Sequence, residues 1–339
     1  MKIDIEDIII SEAKEGHVED WTYVFLKGLS SYRWMSRFIK DQNISEVDIE
    51  ISYIDDVKHK NPNDLFLIAH YNKIPVGIIR LEEYWLPKTM KILSHFPLVI
   101  LRYQRSGIGS LLVKEAIIRA QKIGFTNIWS ECWSKDKREI SVYQSFFEKI
   151  GFKNESNRLE MNCNLDRFKS KNFPDKQELT KIISSNLSDE FVETMSKSYT
   201  VSNDKLHIIE NLGDPIVCRG FLMKTHSIFE RIGLDVKFIL SKYKEQNCAA
   251  MMIASSKYKG MVLEIGVRPE FRKLKIGQTL IVDFLNELKD KKCKEVILGV
   301  DEENMPAVNL YLKLGFQQTW FGSMFLLHDY EKLGLKNKT

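Results

Sequence analysis

The chain has 339 residues, of which 44% are hydrophobic and 28% charged, which is enough for about two globular domains with buried cores. Its 50 basic and 46 acidic residues give a net charge of +4, too close to neutral to favour nucleic acid or an anionic membrane surface as partners. The densest apolar run, residues 96–101, is far shorter than the roughly 20 residues of a membrane span, and the N-terminus lacks a signal-peptide pattern. Five cysteines without CxxC spacing and seven histidines without an HExxH pattern predict neither a disulfide framework nor a metal site. We therefore expect a cytoplasmic protein without a metal.

The first half of the chain combines helical and strand patterns. Residues 14–60 look helical, although serine and aspartate blur the limits of the helices. The patterns that follow predict strands at 65–70, 76–82 and 92–101, a helix at 108–123, a strand at 127–133 and a helix at 139–150 that ends at Gly151. The polar residues 166–177 are typical of a linker.

The second half repeats this order. The patterns predict strands at 238–242, 249–254 and 261–267, a helix that begins at Ile276, a strand at 295–300 and a helix at 305–314 that ends at Gly315. Polar residues 245–247 separate the first two of these strands and predict a hairpin turn.

Two matched segments indicate a duplicated domain. VILRYQRSGIGSLL at 99–112 aligns without gaps with VRPEFRKLKIGQTL, 168 residues later. FFEKIGF, which ends at Phe152, aligns with LYLKLGF, which ends at Phe316, 164 residues later. Two landmarks in the same order at nearly the same offset predict two related domains, residues 1–165 and 178–330, joined by the linker.

The turn at residues 104–110 could bind an anion. It joins a buried strand to an amphipathic helix, so several backbone N–H groups and the positive end of the helix point to one place. Glycine lets the backbone approach a ligand closely because it has no Cβ. The alternative is a tight turn in which glycine serves the chain geometry alone.

The residues around this turn carry a family resemblance. V-x-x-x-Y-Q-R-x-G-I-G at 99–109 resembles the acyl-CoA pyrophosphate loop of the GNAT superfamily of N-acetyltransferases, whose signature Q/R-x-x-G-x-G/A is met by Gln104, Gly107 and Gly109. V-R-P-E-F-R at 267–272, followed by Ile276-Gly277, is similar in the second half. The resemblance implies an α/β (α+β) fold with two GNAT-like domains, each a mixed, mainly antiparallel sheet flanked by helices, and acetyl-CoA as co-substrate. A dinucleotide-binding G-x-G-x-x-G motif fits this sequence poorly.

The second copy resembles the family best in its last strand and helix. In the family the residue type at Asn304 contacts CoA, and the tyrosine at Tyr311 often protonates the departing thiolate. A phenol with a pKa of about 10 is protonated at neutral pH and can do so. The alternative for Tyr311 is an aromatic residue packed on the sheet with its hydroxyl at the surface. Lys275 stands where the first glycine of the loop belongs, and its Cβ could crowd the diphosphate or its ammonium could add compensating charge.

An acid on the strand before the second loop is a candidate for the base. An alkylamine with a pKa of about 10.4 is mostly protonated at pH 7, so a group or a water chain must take a proton before attack. Glu264 lies where family members often carry such an acid; the alternative is a carboxylate exposed on a strand edge.

The first copy departs from the family in the opposite way. Its loop is intact, but Phe147 occupies the tyrosine position and Ile140 the asparagine position, and phenylalanine cannot donate a proton. This copy is expected to bind a second acyl-CoA or to remain as a vestige.

The resemblance implies an acyl-CoA-dependent N-acyltransferase that transfers acetyl to a primary amine of a small molecule or peptide, with the chemistry in the C-terminal domain. The alternatives are a non-catalytic acyl-CoA-binding or scaffolding protein, and an aminoacyl or peptidoglycan-type transferase. The catalytic residues are expected to be Tyr311 and Glu264. The resemblance implies that acyl-CoA is bound by Val267, Arg272, Lys273, Leu274, Lys275, Ile276, Gly277, Gln278 and Asn304, and in the first copy by Gln104, Arg105, Ser106, Gly107, Ile108, Gly109 and Ser110.

Overall fold

The computed structural model describes residues 3–29, 45–93, 95–169 and 179–328. The chain forms two compact units: unit 1 comprises Met1–Glu155 and Gly322–Thr339, and unit 2 comprises Ser156–Phe321. In each unit helices accompany a mixed, mainly antiparallel sheet, as the sequence predicts.

Unit 1 contains most of the first copy. Its sheet order is β1-β2-β3-β4-β6, in which β4 and β6 are parallel and the other pairs antiparallel, while β5 pairs with β3. Residues 322–328 of β13 lie beside β6. The elements in chain order are β1 (Ile8–Glu12), α1 (Val18–Leu29), α2 (Glu46–Lys58), β2 (Leu65–Tyr71), β3 (Ile74–Glu83), β4 (Thr89–Ile92), β5 (Leu98–Val99), α3 (Ile108–Lys122), β6 (Asn127–Ser134), α4 (Lys137–Ile150) and, from the end of the chain, β13 (Gln317–His328).

Unit 2 contains most of the second copy. Its sheet order is β7-β12-β11-β10-β9-β8, and only β11 and β12 are parallel. The elements are β7 (Lys153–Asn164), β8 (Leu179–Ser184), α5 (Asp189–Tyr199), α6 (Lys205–Ile209), α7 (Pro215–Arg231), β9 (Asp235–Tyr243), β10 (Gln246–Ser255), β11 (Lys259–Val267), α8 (Ile276–Asp290), β12 (Glu295–Asp301) and α9 (Met305–Leu314).

The compact units differ from the domains expected along the sequence, 1–165 and 178–330, in the strand that ends each copy. Strand β7 follows the last helix of the first copy, but its residues from Ser156 onward belong to unit 2, where residues 158–164 pair with β12. The second half of β13 follows the last helix of the second copy and lies in unit 1. Main-chain pairing, which sequence periodicity does not specify, decides where these strands belong. Of the expected linker, residues 170–177 lie outside the described residues.

Three predicted elements differ in detail. The strand expected at 92–101 is wrong, because β4 ends at Ile92 and β5 is two residues long. Pro97, which has no N–H to donate, interrupts it. The hairpin turn lies at Lys244 and Glu245, both with positive φ, one residue earlier than predicted. Within 14–60, α1 and α2 are helical and residues 30–44 lie outside the described residues.

The core of unit 2 lies between the sheet and α8. The predicted apolar face of this helix is buried, and its members Leu280, Ile281, Phe284, Leu285 and Leu288 belong to one hydrophobic cluster. A Cβ at Gly260 on β11 would lie 2.0 Å from Cδ1 of Leu288, so glycine lets the helix pack directly on the strand. This packing holds the last turn of α8 against the start of β11.

Candidate active site

Two strands separate at the centre of the unit 2 sheet. β11 and β12 pair only from Lys259 to Val262, opposite residues 295–298. Beyond that point β12 continues beside β7 to Asp301, and β11 continues beside β10 to Val267. The register between β10 and β11 shifts at Leu263, which has no partner on β10. The strand edge at residues 263–267 therefore faces an opening, with Glu264 next to the bulge.

The loop after β11 places the start of α8 at the same opening. Lys275 is the N-cap residue and has the left-handed conformation, with φ 62° and ψ 13°. Gly107, at the same place in unit 1, has φ 92° and ψ −9°. Lysine thus adopts the backbone conformation of the missing glycine, at the steric cost that left-handed geometry imposes on a residue with a Cβ. Its exposed ammonium forms no ion pair with any described residue.

The amides at this helix start are available to a ligand. The first backbone amide of α8 that meets a carbonyl is that of Thr279, which donates to the oxygen of Lys275 at 2.9 Å. Among the described residues the structure gives no backbone acceptor to the amides of residues 275–278. The first amides of a helix have no acceptor within the helix and bear its positive dipole end. The arrangement suits a diphosphate.

Arg272 supports the loop through its own backbone contacts. Its guanidinium donates to the carbonyl oxygens of Val267, Val201 and Ser198 at 3.2, 3.0 and 2.9 Å. Gln104 in unit 1 donates in the same way to the carbonyl oxygen of Val99 at 2.9 Å. The long polar side chain of the signature thus closes the turn in both copies.

Tyr311 is a buried phenol near two carboxylates. It lies on α9, is 6% exposed, and its ring centroid is 5.8 Å from that of Phe316. Burial raises the pKa of Tyr311 well above its ordinary value, and the negative charges of Glu264 and Asp204 raise it further. No described residue hydrogen-bonds its hydroxyl. The proton therefore stays on the oxygen and is not committed to a protein acceptor.

Glu264 is held in a polar cluster rather than exposed on a strand edge. Its side chain is 15% exposed. Its Oε2 atom accepts a hydrogen bond from the Tyr199 hydroxyl at 2.5 Å and lies 3.4 Å from Nε2 of His207. The rings of Tyr199 and His207 are 4.1 Å apart between centroids. Of the two alternatives for Glu264, the structure excludes the solvated carboxylate.

A buried ion pair stands behind this cluster. Nη1 of Arg158, on β7, donates to Oδ1 of Asp204 at 2.8 Å, and the two side chains are 10% and 4% exposed. Asp204 also accepts from the amides of Leu206 and Asp301 at 3.0 and 3.3 Å, so it caps α6 and joins it to the end of β12. Burial disfavours the charged carboxylate, but the charges of Arg158 and His207, together with the hydrogen bonds from Arg158 and the Asp301 amide, outweigh burial, and the pKa of Asp204 is lowered.

Asn304 sits at the start of α9 with its side chain available. Its backbone carbonyl accepts from the amides of Ala307 and Val308, both at 3.0 Å, and its side chain makes no capping hydrogen bond. The residue is half-buried where β12 leads into α9. The side-chain amide can therefore bind a ligand at this end of the opening.

Unit 1 lacks both reactive side chains at the equivalent positions. Phe147 stands for Tyr311 and is fully buried, with its ring 5.2 Å from that of Phe325. When the 168-residue offset of the loop alignment is applied, Phe96 occupies the position of Glu264. The ring of Phe96 packs against Trp21, with ring centroids 5.9 Å apart. Unit 1 thus has apolar rings where unit 2 has a phenol and a carboxylate.

The two loops also differ in their surroundings. A Cβ at Gly109 would lie 3.5–3.6 Å from the rings of Phe146 and Pro97, and one at Gly107 would lie 3.0 Å from Ile5. A Cβ at Gly277 would meet only Val267, at 3.3 Å. Side-chain carbon therefore lies near the loop glycines of both units, and the tightest Cβ position is that of Gly107.

The structure adds four polar residues that the sequence did not reveal: Tyr199, Asp204, His207 and Arg158. Three of them lie in residues 178–235, where no motif is readable, and the fourth lies on β7. The only sequence signal was Ser202-Asn-Asp204 as a helix cap, which does not indicate partners on β7 and β11.

Neither a metal site nor a membrane-spanning helix is found in the described part of the chain. No group of three or more His, Cys, Asp or Glu side chains there could hold an ion. Across residues 3–29, 45–93, 95–169 and 179–328, no helix combines the length and the hydrophobicity that a bilayer crossing needs.

Comparison with protein families gives a match in both halves. The model of the Acetyltransferase (GNAT) family matches residues 30–152 and again residues 220–316. A mycothiol acetyltransferase of Thermobifida fusca (strain YX) is 43% identical over 58 residues, which are 17% of this chain and 18% of that protein. An N-alpha-acetyltransferase of Sulfurisphaera tokodaii is 41% identical over 61 residues, 18% of this chain and 36% of that protein. The matched stretches thus span a minor part of these relatives.

Two solved structures share the fold of this chain. A tandem GNAT protein from the clavulanic acid biosynthesis pathway superposes with a TM-score of 0.60 at 13% identity, covering 95% of this chain and 98% of that one. A GCN5-related N-acetyltransferase from Sphaerobacter thermophilus also superposes with a TM-score of 0.60 at 13% identity, covering 96% of each chain. At this identity the likeness concerns the fold alone.

Proposed function

Because the chain belongs to the Acetyltransferase (GNAT) family, we propose that it is an acyl-CoA-dependent N-acyltransferase whose chemistry takes place in unit 2. The observation that carries the proposal is the pairing of Tyr311 with Glu264 at one opening of the sheet in unit 2, where unit 1 has Phe147 and Phe96. The transferred group is acetyl, and the acceptor is a primary amine of a small molecule or peptide.

The acyl-CoA co-substrate fits the opening between β11 and β12. Residues 272–278 bind its diphosphate through backbone amides, and the charge of Lys275 adds to the positive end of α8. The free edge of β11, which ends at Val267, binds the extended arm, and Asn304 contacts it from the start of α9. These contacts bring the thioester toward Glu264 and Tyr311.

The proposed reaction is direct attack of the amine on the thioester. Glu264 takes a proton from the ammonium, and the neutral nitrogen forms a bond to the carbonyl carbon. Attack leaves a positive charge on the nitrogen, which loses a second proton to water as the carbon–sulfur bond breaks, and Tyr311 gives its proton to the departing thiolate. The phenolate, whose pKa is raised, then takes up a proton from solvent, and Glu264 releases its proton to solvent, which returns the site to its starting state.

Unit 1 is proposed to carry no chemistry. Its loop, residues 104–110, keeps the signature, so that it binds a second acyl-CoA or remains as a vestige. The side chain of Ile5, 3.0 Å from the Cβ position of Gly107, supports the vestige. The names of the partial relatives, a mycothiol and an N-alpha acetyltransferase, support an amine acceptor without identifying it for this chain.

The test measures CoA thiol released from acetyl-CoA with a panel of primary amines: a tripeptide with a free α-amino group, glucosamine, spermidine and ethanolamine. We expect at least one amine to release thiol, and Tyr311→Phe to lower kcat by roughly 100-fold because the acid is removed. Tyr258→Phe is the matched control, since this tyrosine is 64% exposed in the turn between β10 and β11. Thiol release that Tyr311→Phe leaves unchanged would refute the assignment.

Isothermal titration with acetyl-CoA tests the binding site separately. Gly277→Glu places a carboxylate at the helix start and should abolish binding in unit 2, whereas Gly109→Glu makes the same change in unit 1. If acetyl-CoA binding is retained in Gly277→Glu and lost in Gly109→Glu, the co-substrate binds unit 1, and its assignment to unit 2 is refuted. Tight binding without thiol release with any amine would support a non-catalytic acyl-CoA-binding protein.

A further inference from the structure

The Glu264 carboxylate is bound on one oxygen only. Both polar neighbours, the Tyr199 hydroxyl and Nε2 of His207, lie against Oε2, at 2.5 and 3.4 Å. The structure gives Oε1 no hydrogen-bond partner among the described residues. A carboxylate that is held on one oxygen has a fixed plane, and its second oxygen points in a defined direction.

The two groups that hold Oε2 are themselves fixed. Nδ1 of His207 lies 3.0 Å from Oγ of Ser202, which also accepts the amide of Asp204 at 3.0 Å. With both ring nitrogens engaged, His207 can rotate little. Asp204 anchors the segment through Arg158 on β7 and through the Asp301 amide on β12. The orientation of Glu264 is thus tied to three strands.

We propose that Tyr199 and His207 are positioning residues that hold Oε2 of Glu264 and leave Oε1 to take the proton of the acceptor amine. The inference rests on the proposed function, in which Glu264 is the base. Neither residue touches the amine; both act through the carboxylate. Two hydrogen-bond donors on one oxygen also stabilise the charged carboxylate, which is the form that can accept a proton.

The charged and titratable groups around the cluster fit this role. Burial disfavours the imidazolium of His207, but the hydrogen bond with Glu264 and the charge of Asp204 outweigh it, so the pKa of His207 is raised. Arg158 opposes that rise. Burial, followed by the charge of Glu264, raises the pKa of Tyr199, which keeps it a donor. The remaining neighbours are Cys218 on α7 and Tyr311 on α9, and burial raises the pKa of both.

The experiment compares Tyr199→Phe with the wild-type chain, using acetyl-CoA and the best amine of the panel. The variant keeps the ring that contacts the His207 ring and loses only the donor to Oε2. We expect kcat to fall about 10-fold, a part of what a positioned base contributes, while KM for acetyl-CoA stays within about 2-fold.

His207 is tested by a pair of substitutions. Glutamine retains an N–H donor and alanine does not, so His207→Gln should keep at least about 3-fold more activity than His207→Ala. Tyr258→Phe and His226→Gln are the matched controls, since these residues lie outside the cluster, and both should retain wild-type rates.

The outcomes separate the two proposals. If Tyr199→Phe and His207→Ala retain the wild-type kcat while Tyr311→Phe is impaired, the positioning role is refuted and the proposed function stands. Loss of thermal stability or a raised KM for acetyl-CoA, with kcat unchanged, would also refute it, because the residues would then be only structural. If the wild-type chain releases no thiol with any amine, both proposals fall.

Discussion

The buried ion pair between Arg158 and Asp204 allows a quantitative test of how unit 2 is stabilised. Arg158→Met removes the guanidinium but keeps most of the aliphatic volume. The Asp204 carboxylate, only 4% exposed, then keeps two backbone amides and loses its countercharge. Removing one partner of a buried pair costs about 3–5 kcal/mol. Since 1 kcal/mol shifts Tm by roughly 2–4 °C for a domain of this size, we expect Tm to fall by roughly 6–20 °C.

The pH dependence of this loss follows from the lowered pKa of Asp204. A carboxyl group whose folded-state pKa is depressed contributes stability that is present above its unfolded pKa, about 3.9, and disappears as pH falls through the folded value. The difference between wild type and Arg158→Met should therefore be full near pH 7 and should narrow as the pH falls below about 3.9, through the depressed folded-state pKa of Asp204 in the wild type.

The measurement is thermal unfolding followed by circular dichroism at several pH values. The control is Lys291→Met, which breaks an exposed i,i+4 pair with Glu287 and should change the free energy of unfolding by less than about 0.5 kcal/mol. If Arg158→Met lowers Tm no more than Lys291→Met does, or if its effect does not depend on pH, the reasoning about the buried pair is wrong.

Three further predictions concern single side chains. Lys275→Gly should raise the free energy of unfolding, measured by urea denaturation, by up to about 1 kcal/mol, because glycine adopts the left-handed conformation without the strain of a Cβ. The same variant should bind acetyl-CoA a few-fold more weakly at low salt, because a positive charge is lost. Unchanged affinity would refute the role of that charge. Phe147→Tyr should lower the free energy of unfolding by about 1–3 kcal/mol in the same assay, because it buries a hydroxyl group at a fully enclosed ring, and it should create no activity in unit 1. An unchanged free energy of unfolding would mean that the hydroxyl finds a hydrogen-bond partner. Gly260→Ala should cost about 1–3 kcal/mol by forcing α8 away from β11, whereas Gly220→Ala, with no atom within 4 Å of its Cβ position, should not destabilise the chain.

The fold was predictable where apolar periodicity is strong. Helix α9 has the predicted limits, 305–314, and α3 and β12 agree to one residue, because their buried faces repeat at a regular spacing. The end of each copy was not predictable. Strands β7 and β13 carry residues of both units, and only long-range main-chain pairing decides the partner of each. Strand 92–101 was predicted wrongly because its apolar content hides the interruption near Pro97.

The residues of the candidate site were also only partly predictable from the sequence. The loop residues and Tyr311 follow from local motifs, since each depends on the spacing around a strand end or a helix start. Tyr199, His207 and Asp204 come from a region whose sequence carries no motif, and Arg158 comes from the strand that the sequence places in the other copy. Their contact with Glu264 and with one another is a property of the folded unit, so no local pattern could indicate it.

The two copies show why a loop signature alone does not locate chemistry. Unit 1 keeps both glycines and the glutamine that closes its turn, yet phenylalanine occupies both positions at which unit 2 has Tyr311 and Glu264, the proposed acid and base. In unit 2 the loop has lost a glycine, but lysine retains the left-handed backbone, and every polar partner of Glu264 lies within the same unit. Backbone geometry at the helix start tolerates such a substitution, whereas proton transfer requires particular side-chain atoms. We therefore assign the reaction to unit 2 on the basis of its side chains, and not on the basis of the loop signature.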